Sequence, residues 1–304
     1  MADINGVINV YKEKGFTSHD VVAKLRGILK TKKIGHTGTL DPDAEGVLPI
    51  CIGNATKLCD LIMEKHKTYE AELVLGVATD TEDMTGNVIK KYDGIINIDK
   101  KQLEDVINSF VGEYMQIPPM YSAIKVNGKR LYEMAREGLE IERKPRNVHI
   151  YGIDILDISS SVIKLVVNCG KGTYIRSLCR DIGEKLGVYG CMGYLLRTKT
   201  GIFELEESYR LSELQNICDS GKLFSSDILI PTDEILCDYP KVHIIDKYEK
   251  LLKNGNPLSV EMFHDSERIE NGQALYRVYS GEKFMAVYRK NEKDLVLKAE
   301  KMFL

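Results

Sequence analysis

The densest concentration of chemically capable residues lies between Ile34 and Lys57, IGHTGTLDPDAEGVLPICIGNATK, where four glycines, two prolines, a histidine and three acids fall within 24 residues. So many residues that permit or impose unusual backbone angles predict a loop with a tightly set path. Asp41 stands near its centre, and two readings are open for it. It could be an N-cap followed by Pro42 at the first helical position, or a carboxylate held for chemistry. A phosphate cradle at Gly35-His36-Thr37-Gly38-Thr39 is a poorer match, because no Gly-Lys-Ser/Thr follows and no Rossmann spacing is present. Arg176 is a second oddity: it falls in the first turn of a predicted helix, where the macrodipole disfavours a cation. A buried carboxylate facing its two-pronged guanidinium would explain it, and so would a surface side chain laid along apolar neighbours. Metal chemistry finds no pattern to rest on. The six histidines show no H-x-x-x-H, the seven cysteines never stand as C-x-x-C, and Asp80-Thr81-Glu82-Asp83 lacks the glycine and closing glutamate of a calcium loop.

The elements that must position these residues can be traced along the chain. GVINVYK reads as a short strand, and Thr17 with Asp20 has the spacing of a capping box before a helix whose stripe is Val21, Val22, Leu25, Ile28 and Leu29. YEAELVLGVAT, from Tyr69, alternates as a strand, with Thr85-Gly86-Asn87 as a turn before Val88 and Ile89. Asp99 caps a further helix with Leu103, Val106, Ile107 and Phe110 inward. Pro118-Pro119 then opens a polar excursion over about 121–149, poor in large apolar residues and suited to a binding loop or to disorder. Strands resume at 148–156 and 162–168. Gly170-Lys171-Gly172-Thr173 leads into a helix with Ile175, Leu178, Cys179, Ile182 and Leu186 on one face, stopped by Gly187. The mixture is α+β, without the rhythm of a doubly wound sheet. A boundary is predicted at 225–242, followed by a mostly β module with a short helix near 246–253 and two alternating runs around Ser280-Gly281.

Composition bounds what the molecule can be. The chain has 304 residues, 43% hydrophobic and 29% charged, with 25 glycines and 8 prolines, which excludes disordered, collagenous and low-complexity classes. No apolar run reaches about 18 residues and the N-terminus has no signal architecture, so a soluble, unexported protein with reduced thiols is expected. The net charge of −3 argues against nonspecific coating of nucleic acid. Its distribution is uneven, however. Residues 21–40 hold Lys24, Arg26, Lys30, Lys32 and Lys33 without an acid, and residues 121–149 carry seven basic side chains against four glutamates. One face could therefore hold a polyanion while the rest stays acidic, although solvated faces look the same from charge alone.

Gly35-His36-Thr37-Gly38-Thr39-Leu40-Asp41-Pro42, continuing through Gly46, Pro49 and Gly53-Asn54-Ala55-Thr56-Lys57, resembles the aspartate motif of the TruB family of pseudouridine synthases. Lys12 with Gly15, Thr17-Ser18 and Asp20 is similar to the family's opening K-x-x-G-x-T-S-x-D. Glu13 departs from it where most members have proline. Lys67-Thr68-Tyr69 resembles the tyrosine motif, and Ile117-Pro118-Pro119-Met120-Tyr121-Ser122-Ala123 with Lys125 the segment opening a thumb-like insertion. Cys169-Gly170-Lys171-Gly172-Thr173-Tyr174-Ile175-Arg176 resembles the arginine motif, and Tyr194-Leu195-Leu196-Arg197 the Y-L-x-R segment.

The resemblance implies a pseudouridine synthase catalytic fold with a mixed, mostly antiparallel sheet over residues 1–235, and a small PUA-like RNA-binding domain over 241–304. It implies isomerisation of uridine, by base flipping and without cofactor or metal, in the branch that acts on uridine 55 of the tRNA T loop. Asp41 would be the catalytic carboxylate, Arg176 its partner and Tyr69 the ring stacked on the target base. His36, Lys12, Tyr174, Leu195 and Leu196 would line or support the pocket, and Lys125, Lys129 and Arg130 would hold the T stem. A cytoplasmic monomer needing no protein partner is expected. The guide-RNA-dependent branch of the same family, which lacks the insertion, and a non-catalytic tRNA chaperone are the alternatives.

Overall fold

The structure, a computed structural model, describes residues 4–97, 99–223, 227–270, 274–291 and 295–303. GVINVYK forms β1 (Gly6–Lys12), and the Thr17–Asp20 capping box closes in both directions at the start of α1 (Ser18–Leu29). Segment 34–57 departs from its loop expectation. Its flanks are β2 (Ile34–His36) and β3 (Glu45–Ile52), so the irregular path shrinks to residues 37–44. The cause is the run from Val47 to Ile52, buried on both faces, as near-continuous apolar strands are inside a covered sheet. Asp41-Pro42 starts a turn, with the Ala44 amide donating to the Asp41 carbonyl at 3.1 Å, and no helix follows; this removes the N-cap reading.

α2 (Cys59–Met63) leads into β4 (Lys67–Leu75), whose odd-numbered residues are all buried. A hairpin of β5 (Val77–Thr79) and β6 (Val88–Lys91) follows, then α3 (Lys100–Asn108) capped by Asp99, and β7 (Gly112–Gln116). The excursion after Pro118 is folded. β8 (Lys125–Val126), β9 (Lys129–Arg130) and α4 (Leu131–Arg136) enclose a small core of Met120, Leu131 and Met134, because Leu131 and Met134 share one face of the helical turn. The main sheet resumes at Arg146 with β10 (Arg146–Ser159) and β11 (Val162–Cys169), so the excursion ends a few residues before 149. α5 (Ile175–Lys185), β12 (Gly190–Thr200), β13 (Phe203–Glu204) and α6 (Leu211–Asp219) complete the larger unit. The remainder contains β14 (Lys241–His243), α7 (Glu249–Lys253), β15 (Leu258–Ser259), α8 (Ser266–Glu270), β16 (Leu275–Ser280), β17 (Lys283–Asn291) and β18 (Val296–Met302).

The large sheet runs β1-β3-β12-β4-β11-β10-β7, with β2 on β3 and β13 on β12. The β3–β12 pair is parallel and the other pairings are antiparallel. Gly46 makes the parallel contact possible. A Cβ there would stand 2.2 Å from the Arg197 carbonyl oxygen, and its φ of +104° suits glycine. α3 and α5 cover one face through Leu103, Ile107, Leu178 and Ile182 against Leu73, Leu165 and Val167, each burial contributing about 1.5–3 kcal/mol. α1 and α6 cover the β1–β3 end. The second sheet, β14-β16-β17-β18-β15, has its own interior. It also shares a cluster with the first: Val287 and Phe303 pack with Val7, Val47, Cys51, Leu58, Ile235 and Leu236. The mixed, mostly antiparallel sheet and the small β unit after it agree with the architecture that the resemblance implies. Among the described residues no helix is long and apolar enough to cross a membrane.

Candidate active site

Asp41 lies on the 37–44 loop, and that loop is pinned from every side. The Thr37 amide and hydroxyl donate to the Pro49 carbonyl at 3.2 and 3.0 Å. The Leu40 amide donates to Ser18 Oγ at 3.0 Å, and the Gly15 amide to the Pro42 carbonyl at 2.9 Å. Lys12, fully buried, points its ammonium at three carbonyls: Ala44 at 2.5 Å, Pro42 at 3.0 Å and Glu13 at 3.3 Å. Three donors meet three acceptors. Burial lowers the Lys12 pKa to about 8 against the pull of Asp41, Glu45 and Asp43. Lys12 therefore shapes the loop from beneath and does not present its charge to the cleft.

Arg176, on the first turn of α5, reaches across to that loop. Its Nε lies 2.9 Å from Asp41 Oδ2 and its Nη2 3.2 Å from Oδ1, a two-pronged pair. The rest of the guanidinium is used too: Nη2 donates to the Tyr121 carbonyl at 2.9 Å, Nη1 to the Thr81 carbonyl at 3.1 Å, and Asp83 Oδ2 stands 3.8 Å from Nε. The arginine side chain is only 6% exposed, whereas Asp41 keeps 38% of its side-chain surface open. Desolvation pushes the Asp41 carboxyl above the usual range, Arg176 and Lys12 pull it down, and Asp83 adds to the upward push. The buried-carboxylate explanation of the misplaced cation is thus the one realised.

Tyr69, on β4, is buried in the same cluster as Leu40, Ala44, Ile175 and Leu195. Burial raises its phenol pKa and the Arg197 guanidinium opposes the rise. Register explains the grouping: Leu195 lies opposite Ala71 and Arg197 opposite Tyr69, so these side chains share the α5 face. Leu196 lies opposite Glu70 and faces the other side of the sheet, apart from the remainder. Tyr174 immediately precedes α5, and its amide and carbonyl are both bound by the Gln116 side chain at 2.8 and 3.0 Å. His36 is half-buried, its ring 5.1 Å from that of His19; burial, then His19, lower its pKa.

Lys125, Lys129 and Arg130 sit on the β8–β9 hairpin. Lys125 and Lys129 are exposed, Lys129 lies 3.5 Å from Glu137, and Arg130 donates to the Tyr132 hydroxyl at 2.9 Å. The buried Arg197, whose Nε donates to the Val47 carbonyl at 2.7 Å, and the 80–85 turn that supplies Thr81 and Asp83 carry no assigned role in the sequence, which shows Arg197 only within the Y-L-x-R segment and Asp80-Thr81-Glu82-Asp83 only as a failed calcium loop. Among the described residues no group of three or more His, Cys, Asp or Glu side chains converges on a metal position.

A carboxylate held by a fork beside a buried tyrosine suits covalent or general-base work on a flat ring, and comparison with known proteins narrows the class. Residues 26–175 match the model of the TruB family pseudouridylate synthase N-terminal domain, and residues 176–236 that of the tRNA pseudouridylate synthase B C-terminal domain. The chain belongs to the TruB family. Within it, the tRNA pseudouridine synthase B of Lachnoclostridium phytofermentans is 51% identical over 99% of this chain and 100% of that protein. The protein of the same name from Clostridium kluyveri is 46% identical over 99% and 100%. Among solved structures, a chain of a Cbf5-Nop10-Gar1 complex superposes with a TM-score of 0.74 at 27% identity, over 98% of this TruB-family chain and 85% of that one.

Proposed function

We propose that this protein isomerises uridine 55 in the T loop of tRNA to pseudouridine. The N1–C1′ bond breaks, the freed base turns, C5 joins C1′, the C5 proton leaves to solvent, and N1 takes up a proton in its place. The observation that carries this reading is the Asp41 carboxylate, gripped by Arg176 beside the buried apolar cluster that contains Tyr69. Asp41 acts on the sugar, as nucleophile at C1′ or as base for a sugar proton, and must be ionised for either. Arg176 supports that ionised form against the desolvation of the site. Tyr69 stacks on the target base and assists loss of its C5 proton, an aromatic face being suited to an unstacked pyrimidine. The uridine is flipped out of the loop at a cost of a few kcal/mol, with His36 filling the vacated space.

Leu195 and Tyr174 contribute to the pocket wall. Lys125, Lys129 and Arg130 hold the phosphates of the T stem from the insertion. Residues 1–235 form the catalytic domain and 241–304 an accessory RNA-binding domain, in a cytoplasmic monomer that needs neither cofactor nor protein partner. The folded insertion weighs against the guide-RNA-dependent branch, which lacks it. The test is tritium release from 5-tritiated uridine in a T stem-loop transcript, beside a gel-shift affinity for the same RNA. Asp41→Asn is expected to bind normally and to lose about 10⁴-fold in turnover. Near-normal release by that variant refutes the reading.

A further inference from the structure

Glu82 stands out among buried groups that the reading above does not use. Its side chain is 8% exposed, and its φ of +64° is a left-handed conformation that a non-glycine residue keeps only where its surroundings over-determine it. The neighbours on either side both touch the Arg176 guanidinium, Thr81 through its carbonyl and Asp83 through its carboxylate. The Glu82 side chain serves different partners. Its Oε2 accepts from Ser177 Oγ at 2.5 Å, and its Oε1 is bound by Arg180 Nη1 and lies 3.8 Å from Arg143 Nη1.

Those partners belong to two bodies. Ser177 and Arg180 follow Arg176 on α5. Arg143 lies where the basic insertion returns to the sheet, and its Nη1 also donates to the Pro118 carbonyl at 3.1 Å, where the insertion departs. Arg180 Nη2 reaches the adjacent Ile117 carbonyl at 3.1 Å. Both roots of the insertion and the first two turns of α5 therefore converge on one buried carboxylate.

We infer that Glu82 is a positioning residue that ties the insertion to the Asp41–Arg176 pair, so that RNA held by the insertion is presented in register with the catalytic carboxylate. This rests on the reading of Asp41 and Arg176 given above. With the carboxylate removed, Arg180 and Arg143 lose their common partner, the insertion pivots on its roots, and the uridine is held off line from Asp41. Such a role spends the link on alignment, so the chemical step at saturating RNA should fall.

The test compares Glu82→Gln, Arg143→Gln and the double variant by single-turnover tritium release at saturating T stem-loop RNA, with thermal unfolding of each. Each single variant should lose about tenfold in rate while still binding the RNA, and the double variant should be no slower than the slower single one, because both cut one link. A buried acid with a merely structural role would lower the unfolding midpoint and would multiply with Arg143→Gln, to about a hundredfold. That multiplication, or a Glu82→Gln rate within twofold of the unaltered protein, overturns the inference. Asp41→Asn is run in parallel: if it retains turnover, the catalytic reading fails and this one with it. If it is inactive while Glu82→Gln is unaffected, only the role of Glu82 is lost.

Discussion

Replacing Arg176 by lysine isolates geometry from charge at the centre of the site. The guanidinium makes three hydrogen bonds, one to Asp41 and one each to the carbonyls of Thr81 and Tyr121, and a second prong of the ion pair runs from Nε to Asp41 Oδ2 at 2.9 Å. A lysine ammonium has three donors on a single atom, so it can keep one bond to Asp41 but not the second prong together with both carbonyls. A hydrogen bond to a charged group is worth about 1.5–3 kcal/mol and a neutral one about 1, so losing the second prong and a carbonyl bond removes about 3 kcal/mol. At about 1.4 kcal/mol per tenfold, that is a fall on the order of 10²-fold in the rate of the chemical step. The assay is single-turnover tritium release at saturating RNA, which excludes changes in binding. The pH profile should move as well. Arg176 is the main force pulling the Asp41 pKa down against desolvation, so a weaker hold lets that pKa rise and shifts the acid limb of the rate to higher pH. A loss smaller than fivefold with an unmoved acid limb would refute the claim that the fork holds the carboxylate in its working state.

Neutralising Lys125, Lys129 and Arg130 to glutamine should weaken tRNA binding and flatten its dependence on salt by about 0.9 of a log–log unit for each phosphate that is no longer neutralised; an unchanged slope in filter binding would leave these cations facing solvent. Burial lowers the Lys12 pKa to about 8, so between roughly pH 8 and pH 10 the folded protein has released a proton that the unfolded chain still binds. Stability contributed by this group therefore rises with pH across that window, and urea midpoints measured against pH should show a rise in the unaltered protein that Lys12→Met lacks. Phe303 is 8% exposed and stacks on Phe284 with ring centroids 5.0 Å apart, so Phe303→Ala should cost about 3 kcal/mol and lower Tm by about 5–10 °C while leaving turnover at 25 °C intact; an unmoved Tm would show that the joint between the sheets carries no stability.

Local rules were enough for much of the architecture. The capping box at Thr17, the Asp99 cap and the alternation of β4 depend on neighbours a few residues apart, and each element forms there, although the run expected from Tyr69 to Thr79 starts at Lys67 and breaks at Gly76 into β4 and β5. Segment 34–57 misled for a physical reason: glycine and proline advertise irregular backbone, whereas burial on both faces, which only the assembled sheet supplies, turns Glu45–Ile52 into strand. The 121–149 excursion looked coreless because its core is small, with Leu131 and Met134 from one helical turn closing on Met120, which lies just outside the excursion. Within the site, the misplaced cation at Arg176 left a buried carboxylate and a surface side chain equally open, and only the resemblance to the family paired it with Asp41. Thr81 and Asp83 were not legible, because their role comes from a hairpin turn folded against α5, far away in sequence. Leu196 shows the limit of a motif: adjacent strand residues face opposite sides, and register decides which of them sees the pocket.

The apolar joint formed by Val287 and Phe303 with Val7, Val47 and Cys51 has a consequence for how the two sheets sit against each other. Two modules on a flexible tether sample many separations and accept any RNA whose binding points fall within reach. Here β17 and the residue after β18 are set into the same hydrophobic seam as β1 and β3, so the two sheets keep one spacing and one angle. On the proposed division of labour, in which both units hold RNA, the pair works like a caliper with locked jaws: an RNA that fits one sheet but has the wrong length or bend must deform itself to meet the other. Discrimination of this kind needs no contact to a base and costs the protein no reorganisation when the right shape arrives.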